Sequence, residues 1–439
     1  MGDNLIGASD NRHLLTIAGT RAGKGTSVII PNLLTYEGSI FCIDPKGENA
    51  TITAERRGQG RGIPKGGLGH EVYVIDPFKV ADVPDEYRAG FNPFDFLDPQ
   101  SPNFIDDCDS LADALVVAEP GKENDHWNGS ARLVLRGFIA WIASSEEKGK
   151  RSLNELKRIL YLSPEGENDD GFDDLISDMA EAPNIADGVP MEMAGMLLGM
   201  GQDERGSILS TVRQNIAFLS SPPMASILSD QQRTVDLATW KMGGKSIYLC
   251  LPAGRLHRHN RFLRMFINLL LTAIEREQRT PALPALMILD EMHVLGHMAS
   301  LETASGLIAG FGVRIWSIWQ DMNQLKHLYR QRWETFLGNA GILQFFGLND
   351  LTTLEYVSKR LGTSSIQQIS QGELSTSQSA GGFSGQSKSI QQSPLLTADE
   401  VAYFFSRQSG NQLILYAGAD PIFMHRVPYY TDTFKEFRK

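Results

Sequence analysis

Apolar residues along this chain come in short uninterrupted runs that stop on polar or acidic residues, with longer stretches of helical periodicity between them. The first run, His13 to Ile17, leads into the glycine-rich segment Ala18–Thr26, and a helical pattern follows through Leu34. Ser39–Ile43 ends at Asp44, Pro45, Lys46 and Gly47, and Glu71–Ile75 ends at Asp76 and Pro77. Short apolar strands that alternate with helices predict an α/β fold with a mostly parallel sheet covered on both faces.

From residue 101 to 230 the strand signals stop. Helical periodicity takes over, as in Ala131–Ile142, and predicts an inserted all-α domain over 101–230. Sheet patterning resumes at Ser246–Leu251, Leu286–Asp290 and Val313–Gln320, so 1–100 and 231–439 read as one domain. Ser, Gln and Gly dominate 364–394, a composition with little to bury, and a flexible loop is expected there. No period of about 20 to 50 residues repeats, which excludes solenoids and propellers.

Charge sharpens this division. The chain carries −11 overall; residues 101–230 hold 23 Asp and Glu against 10 Lys and Arg, while the rest holds 29 against 31. The acidity is therefore concentrated in the helical segment, and a generally basic nucleic-acid-binding surface is excluded; any contact with nucleic acid must be local. Length 439 and 42% hydrophobic residues suit a globular chain of at least two domains. Cys42, Cys108 and Cys250 lie too far apart for a zinc or redox pair and are expected to be buried, reduced, cytosolic thiols. The longest apolar stretch, Phe262–Ile274, is broken by Arg264 and Asn268 and falls short of the roughly 20 residues of a membrane span. The opening residues carry no basic region followed by an apolar stretch, so no secretory signal is expected.

The candidate chemistry sits at strand ends. A phosphate loop needs consecutive backbone N–H groups at a helix start, glycines for close approach and a lysine that reaches the β and γ phosphates. Thr20, Arg21, Ala22, Gly23, Lys24, Gly25, Thr26 and Ser27 are the candidates for binding ATP in this way. The pattern is imperfect: Ala18 stands where the first glycine is usual, and Gly25 where a hydroxyl is usual. A glycine-rich turn before a helix accounts for the loop alone. The strand that ends in Asp290 and Glu291 changes the balance, because it supplies one carboxylate for Mg²⁺, shared with Thr26, and another to polarise an attacking water. Gln320 ends the next strand, where an amide can sense the γ-phosphate. His293 and His297 lack the glutamate that a zinc-protease helix requires, Val294 taking its place, and Met191, Met193, Met196 and Met200 read as core.

These blocks, with IDPKGEN at 43–49, FNPFD at 91–95, LDEMHVLGHM at 289–298, FGLND at 346–350 and VPYY at 427–430, resemble the type IV secretion coupling proteins, the TraG/TraD-like conjugative DNA pumps. The resemblance covers nearly the whole chain and includes the Gly-Lys-Gly form of the loop. It implies a RecA-like motor domain with an all-α insert that helps choose cargo, and a homo-oligomer of six copies around a DNA channel. It also implies catalytic arginines, with Arg12 and Arg314 as candidates for reaching nucleotide across a subunit interface. DNA, with single strands favoured, secreted protein, the relaxosome and components of the secretion channel are the implied partners. The implied place is the cytoplasmic face of the bacterial inner membrane, through an N-terminal anchor that this chain does not show. A nucleotide-regulated cargo receptor without motor activity, or an FtsK-like translocase of double-stranded DNA, are the alternatives; the latter usually bears a winged-helix reader, which the C-terminal sequence does not suggest.

Overall fold

The structure, a computed structural model, describes residues 10–116, 126–163, 171–229, 233–371 and 386–439. Eleven strands are present among them: β1 His13–Ala18, β2 Ile40–Ile43, β3 Glu71–Ile75, β4 Lys245–Leu249, β5 Ala285–Leu289, β6 Val313–Trp319, β7 Ala340–Phe346, β8 Thr363–Gln371, β9 Gln386–Pro394, β10 Asn411–Tyr416 and β11 Ile422–His425. Nine of them form one sheet in the order β11-β10-β7-β1-β6-β5-β2-β4-β3. The pairs from β7 through β3 are all parallel, and β10 and β11 add an antiparallel edge.

The central strands read as unbroken apolar runs because both faces are covered. Alternation along β2 shows it: Phe41 and Ile43 enter one core, Ile40 and Cys42 the other. Over the first face lies the helix Asn260–Arg276, whose Phe266 stacks on Phe41 with ring centroids 5.2 Å apart and meets Phe91 at 4.6 Å. Over the second lie the helical run Gly25–Thr35 and the helix Glu48–Arg57. Arg57 is fully buried there. Its guanidinium is satisfied by carbonyls, donating to Leu33 O (2.9 Å), Tyr36 O (2.7 Å) and Gly38 O (2.5 Å), and to Ser246 Oγ (2.6 Å), which ties the helices to β4.

Between β3 and β4 the described residues contain no strand, and seven α-helices occupy this part of the chain, from Phe104–Leu115 to Pro222–Ile227. They continue the core of the first sheet face: Phe104–Leu115 packs on Asn260–Arg276, and Arg276 pairs with the buried Asp107 and covers Phe96. Met193 is buried against Gly137, while Met196 and Met200 pack at the margin of the same core. All three cysteines are free and buried.

The segment expected to be a loop differs. Residues 363–371 and 386–394 pair as an antiparallel ribbon, β8 with β9, in register from Thr363 opposite Pro394 to Gln371 opposite Gln386; 372–385 lies outside the described residues. A two-stranded ribbon buries neither face, so no apolar alternation marks it; Ile366 and Ile390 are exposed on it. Strands β7, β10 and β11 were likewise not anticipated.

Candidate functional site

The parallel arrangement brings the carboxyl ends of β1, β6, β5 and β2, neighbours in the sheet, to one edge. Ligand sites in such sheets lie in that crevice. The loop Gly19–Lys24 follows β1, Gln320 follows β6, Asp290 and Glu291 follow β5, and Asp44 follows β2. Residues as far apart in sequence as Thr20 and Gln320, 300 positions, thus meet because strand direction and order dictate it.

The loop is shaped by two tight approaches. Gly23 has φ 90°, where only glycine is at ease, and Ser27 N–H donates to its carbonyl at 2.9 Å, closing the turn into the helix. Gly347, just past β7, has φ 61°, and a Cβ there would lie 2.3 Å from the Cβ of Ala22, so the chain after β7 supports the loop from behind. Residues Gly25–Ile29 form a π-helical turn before the α-helix Ile30–Thr35, a widening that often marks functional positions. The Thr26 hydroxyl donates to Gly23 O at 3.3 Å.

Side chains form a connected row across the crevice. Lys24 Nζ stands 3.9 Å from Glu291 Oε1. Gln320 Nε2 donates to Glu291 Oε2 at 3.2 Å, and Thr20 Oγ1 donates to Gln320 Oε1 at 3.3 Å. His293 Nδ1 lies 3.3 Å from the same Oε2. Glu291 adopts φ 56°, a left-handed backbone that is costly for a glutamate and recurs at functional sites. That turn sends its own N–H onto Asp290 Oδ1 at 3.1 Å.

Two acids in the crevice have pKa values raised by burial. Desolvation pushes Asp290 up to about 6, the nearby charge of Glu291 adds to the rise, and Lys24 opposes it. Burial likewise raises Asp44 to about 6, against amide hydrogen bonds from Ala50 and Asn49. Such carboxyls gain most from a cation brought alongside.

Of the residues anticipated from sequence, Thr20, Lys24, Asp290, Glu291 and Gln320 come together, with Arg21, Ala22, Gly23, Gly25 and Thr26 around them. Ser27 also borders a cavity on the sheet face. Arg12 and Arg314 do not join them within this chain. Arg12 precedes β1 and Arg314 opens β6, so both lie at the amino edge of the sheet, about 20 Å from the loop at roughly 3.3 Å per strand residue. Arg12 is held by Asp10, Nη2 to Oδ2 at 2.6 Å, and Arg314 lines that cavity with its Nε buried and unpartnered. Sequence reasoning missed Gly347, the role of Asp44 and, above all, Arg426, which reaches the loop from the C-terminal segment; nothing local marked that arginine.

The model of the family described as type IV secretory system, conjugative DNA transfer, matches residues 1–439. Among similar proteins, the conjugal transfer protein TraG of Agrobacterium fabrum (strain C58) is 26% identical over 428 residues, 95% of this chain and 60% of that one. Protein VirD4 of the same organism is also 26% identical, over 96% of this chain and 59% of its own. The chain thus spans about 60% of the length of these relatives. Among solved structures, the bacterial conjugative coupling protein TrwBdeltaN70 in its unbound form superposes with a TM-score of 0.66 at 17% identity, over 95% of this chain and 85% of that one. VirB4 of Thermoanaerobacter pseudethanolicus shares the fold more loosely, with a TM-score of 0.52 at 13% identity, over 98% and 93%. The RecA-like P-loop fold is therefore shared along almost the whole chain, and the chain belongs to the type IV secretory system conjugative DNA transfer family.

Proposed function

We propose that this chain is the ATP-hydrolysing motor of a coupling protein that delivers DNA, protein or both to a type IV secretion channel. The observation that carries the reading is the row of Lys24, Glu291, Gln320 and Thr20, placed beside Asp290 on one sheet edge. TrwB has been solved in complex with a non-hydrolysable ATP analogue and with ADP and Mg²⁺. The shared fold and family support extending ATP and Mg²⁺ to this chain.

In this reading the amides of Thr20 to Ser27 surround the β and γ phosphates, and Lys24 leaves Glu291 to reach them. Glu291, released, takes a proton from the attacking water, and Gln320 orients that water from the next strand. Asp290 and Thr26 are the residues that would hold Mg²⁺. Their oxygen-only donors suit that ion, which commonly takes one or two carboxylates and completes its shell with phosphates and water. Among the described residues no group of three or more His, Cys, Asp or Glu side chains could hold a metal by itself, in keeping with an ion that arrives with nucleotide. When bound, the ion neutralises phosphate charge as it develops.

Arg12 and Arg314, at the far edge of their own sheet, act in this reading on the nucleotide of a neighbouring copy in a ring of six. The acidic helical segment recruits basic regions of cargo by charge. Among the described residues no helix is long and apolar enough to cross a membrane, and attachment to the cytoplasmic face of the inner membrane is proposed to use an N-terminal anchor. The test is ATP turnover of the chain, alone and with single- or double-stranded DNA, together with its mass in solution. Turnover that survives Lys24→Ala rejects the motor reading; nucleotide binding without turnover supports the receptor instead.

A further inference from the structure

The C-terminal segment is strapped across the phosphate loop and its helix. Arg426, directly after β11, donates from Nη1 to the carbonyl of Ala22 and from Nη2 to Arg407 O at 3.1 Å. Its guanidinium lies over the Phe346 ring, 4.8 Å from the centroid, and Phe346 precedes the Gly347 that backs the loop. Three residues on, Tyr429 N–H donates to Thr26 O at 2.8 Å. Phe434 then packs on Ile30 and Leu34 of the same helical run.

The Ala22 carbonyl belongs to the peptide whose N–H is that of Gly23. In a planar trans peptide the C=O and N–H point in opposite directions. A cation that holds the carbonyl outward therefore aims the Gly23 N–H inward, where a phosphate oxygen would lie. A Cβ on Gly23 would lie 3.2 Å from Thr26 Oγ1, 3.4 Å from Ser27 Oγ and 3.5 Å from Arg426 Nη1, so the guanidinium sits close against the turn of the loop. Glycine at φ 90° gives this peptide freedom to flip, and one hydrogen bond from a charged donor removes it. The Nε of Arg426 is buried without a partner, and burial lowers its pKa, so the strap holds a desolvated cation beside an anion-binding loop.

We propose that Arg426 is a positioning residue for nucleotide: its guanidinium fixes the Ala22–Gly23 peptide with the Gly23 amide facing the phosphates, and so makes phosphate affinity depend on the C-terminal strap. The proposal rests on the ATP reading of the loop. Because the contact is made behind the loop, it favours bound substrate and transition state alike, which moves KM more than kcat.

The experiment measures Kd for a fluorescent ATP analogue, and KM and kcat for ATP, on the full chain and its Arg426→Ala, Arg426→Lys and Lys24→Ala variants, with thermal midpoints for each. Arg426→Ala is expected to raise Kd and KM about tenfold or more, with kcat within about threefold, as the loss of one charged hydrogen bond predicts. Arg426→Lys should recover part of the affinity. Unchanged Kd and KM in Arg426→Ala overturn the proposal, as does a loss that vanishes once the assay is run well below the variant's thermal midpoint. Undiminished binding and turnover in Lys24→Ala overturn the ATP reading and the proposal together; loss in Lys24→Ala with none in Arg426→Ala overturns the proposal alone.

Discussion

Lys24 and Glu291 face each other across the crevice, Nζ 3.9 Å from Oε1, so the lysine proposed to bind phosphate is paired with the carboxylate proposed to activate water. A phosphate that attracts Lys24 frees Glu291. Glu291→Gln keeps the hydrogen bond from Gln320 and removes the proposed base. ATP turnover should fall by about a hundredfold or more while nucleotide affinity is held or improved. Parallel turnover and binding measurements check this; a variant that loses both equally would assign Glu291 to binding.

Gln320 bridges Thr20 of the loop to Glu291 through its Oε1 and Nε2, so its amide reads both sides of the site at once. Gln320→Ala should lower kcat about tenfold or more with a smaller change in KM, because orientation of the water matters most in the transition state. Steady-state kinetics separate the two parameters.

Asp44 offers a pH signature of the fold. Its pKa rises from 3.8 to about 6 on burial, so the folded state binds the proton more tightly than the unfolded chain. The sign follows: this stability is fully present below pH 3.8 and is lost as pH rises through about 6. Asp44→Asn, which keeps an acceptor for the Ala50 amide, should exceed the wild type in stability at pH 7.5 by up to about 3 kcal/mol. Denaturant unfolding at pH 7.5 and at about pH 4 checks it, the difference shrinking at the lower pH.

Arg57 is the reverse case, a buried cation answered by carbonyl dipoles. Arg57→Met removes the donors to Leu33 O, Tyr36 O and Gly38 O and leaves them unpaired in the core. A loss of about 3 kcal/mol or more is expected by chemical denaturation, since each orphaned acceptor costs about 1 to 3 kcal/mol. A neutral outcome would show that water replaces the guanidinium.

Lys24 was legible because it stands in a glycine-rich turn at a helix start, and Asp290, Glu291 and Gln320 because each is a polar residue just past a run buried on both faces, a pattern that burial imposes locally. The strands β1 to β6 were legible for the same reason, within a residue or two at their ends. Strands at the sheet margin were not: β11 carries exposed residues such as Phe423, β10 is only partly buried, and the ribbon of β8 and β9 has no core to mark its period. In the same way the two arginines anticipated at the site, Arg12 and Arg314, stand at the amino edge of their own chain's sheet, a matter of strand direction that residue type does not encode.

The sequence by itself determined which residues would be buried, which would end strands, and the chemistry those ends could carry, because hydrophobic burial and loop conformation act over a few neighbouring residues. Only the tertiary structure decided that β1, β6, β5 and β2 lie side by side, which sets the Lys24–Glu291–Gln320 row. It alone placed Arg426 behind Ala22, a contact across 404 residues made by packing of the C-terminal segment on the loop helix. Contacts of that separation depend on strand order and layer packing, which no short window of sequence contains.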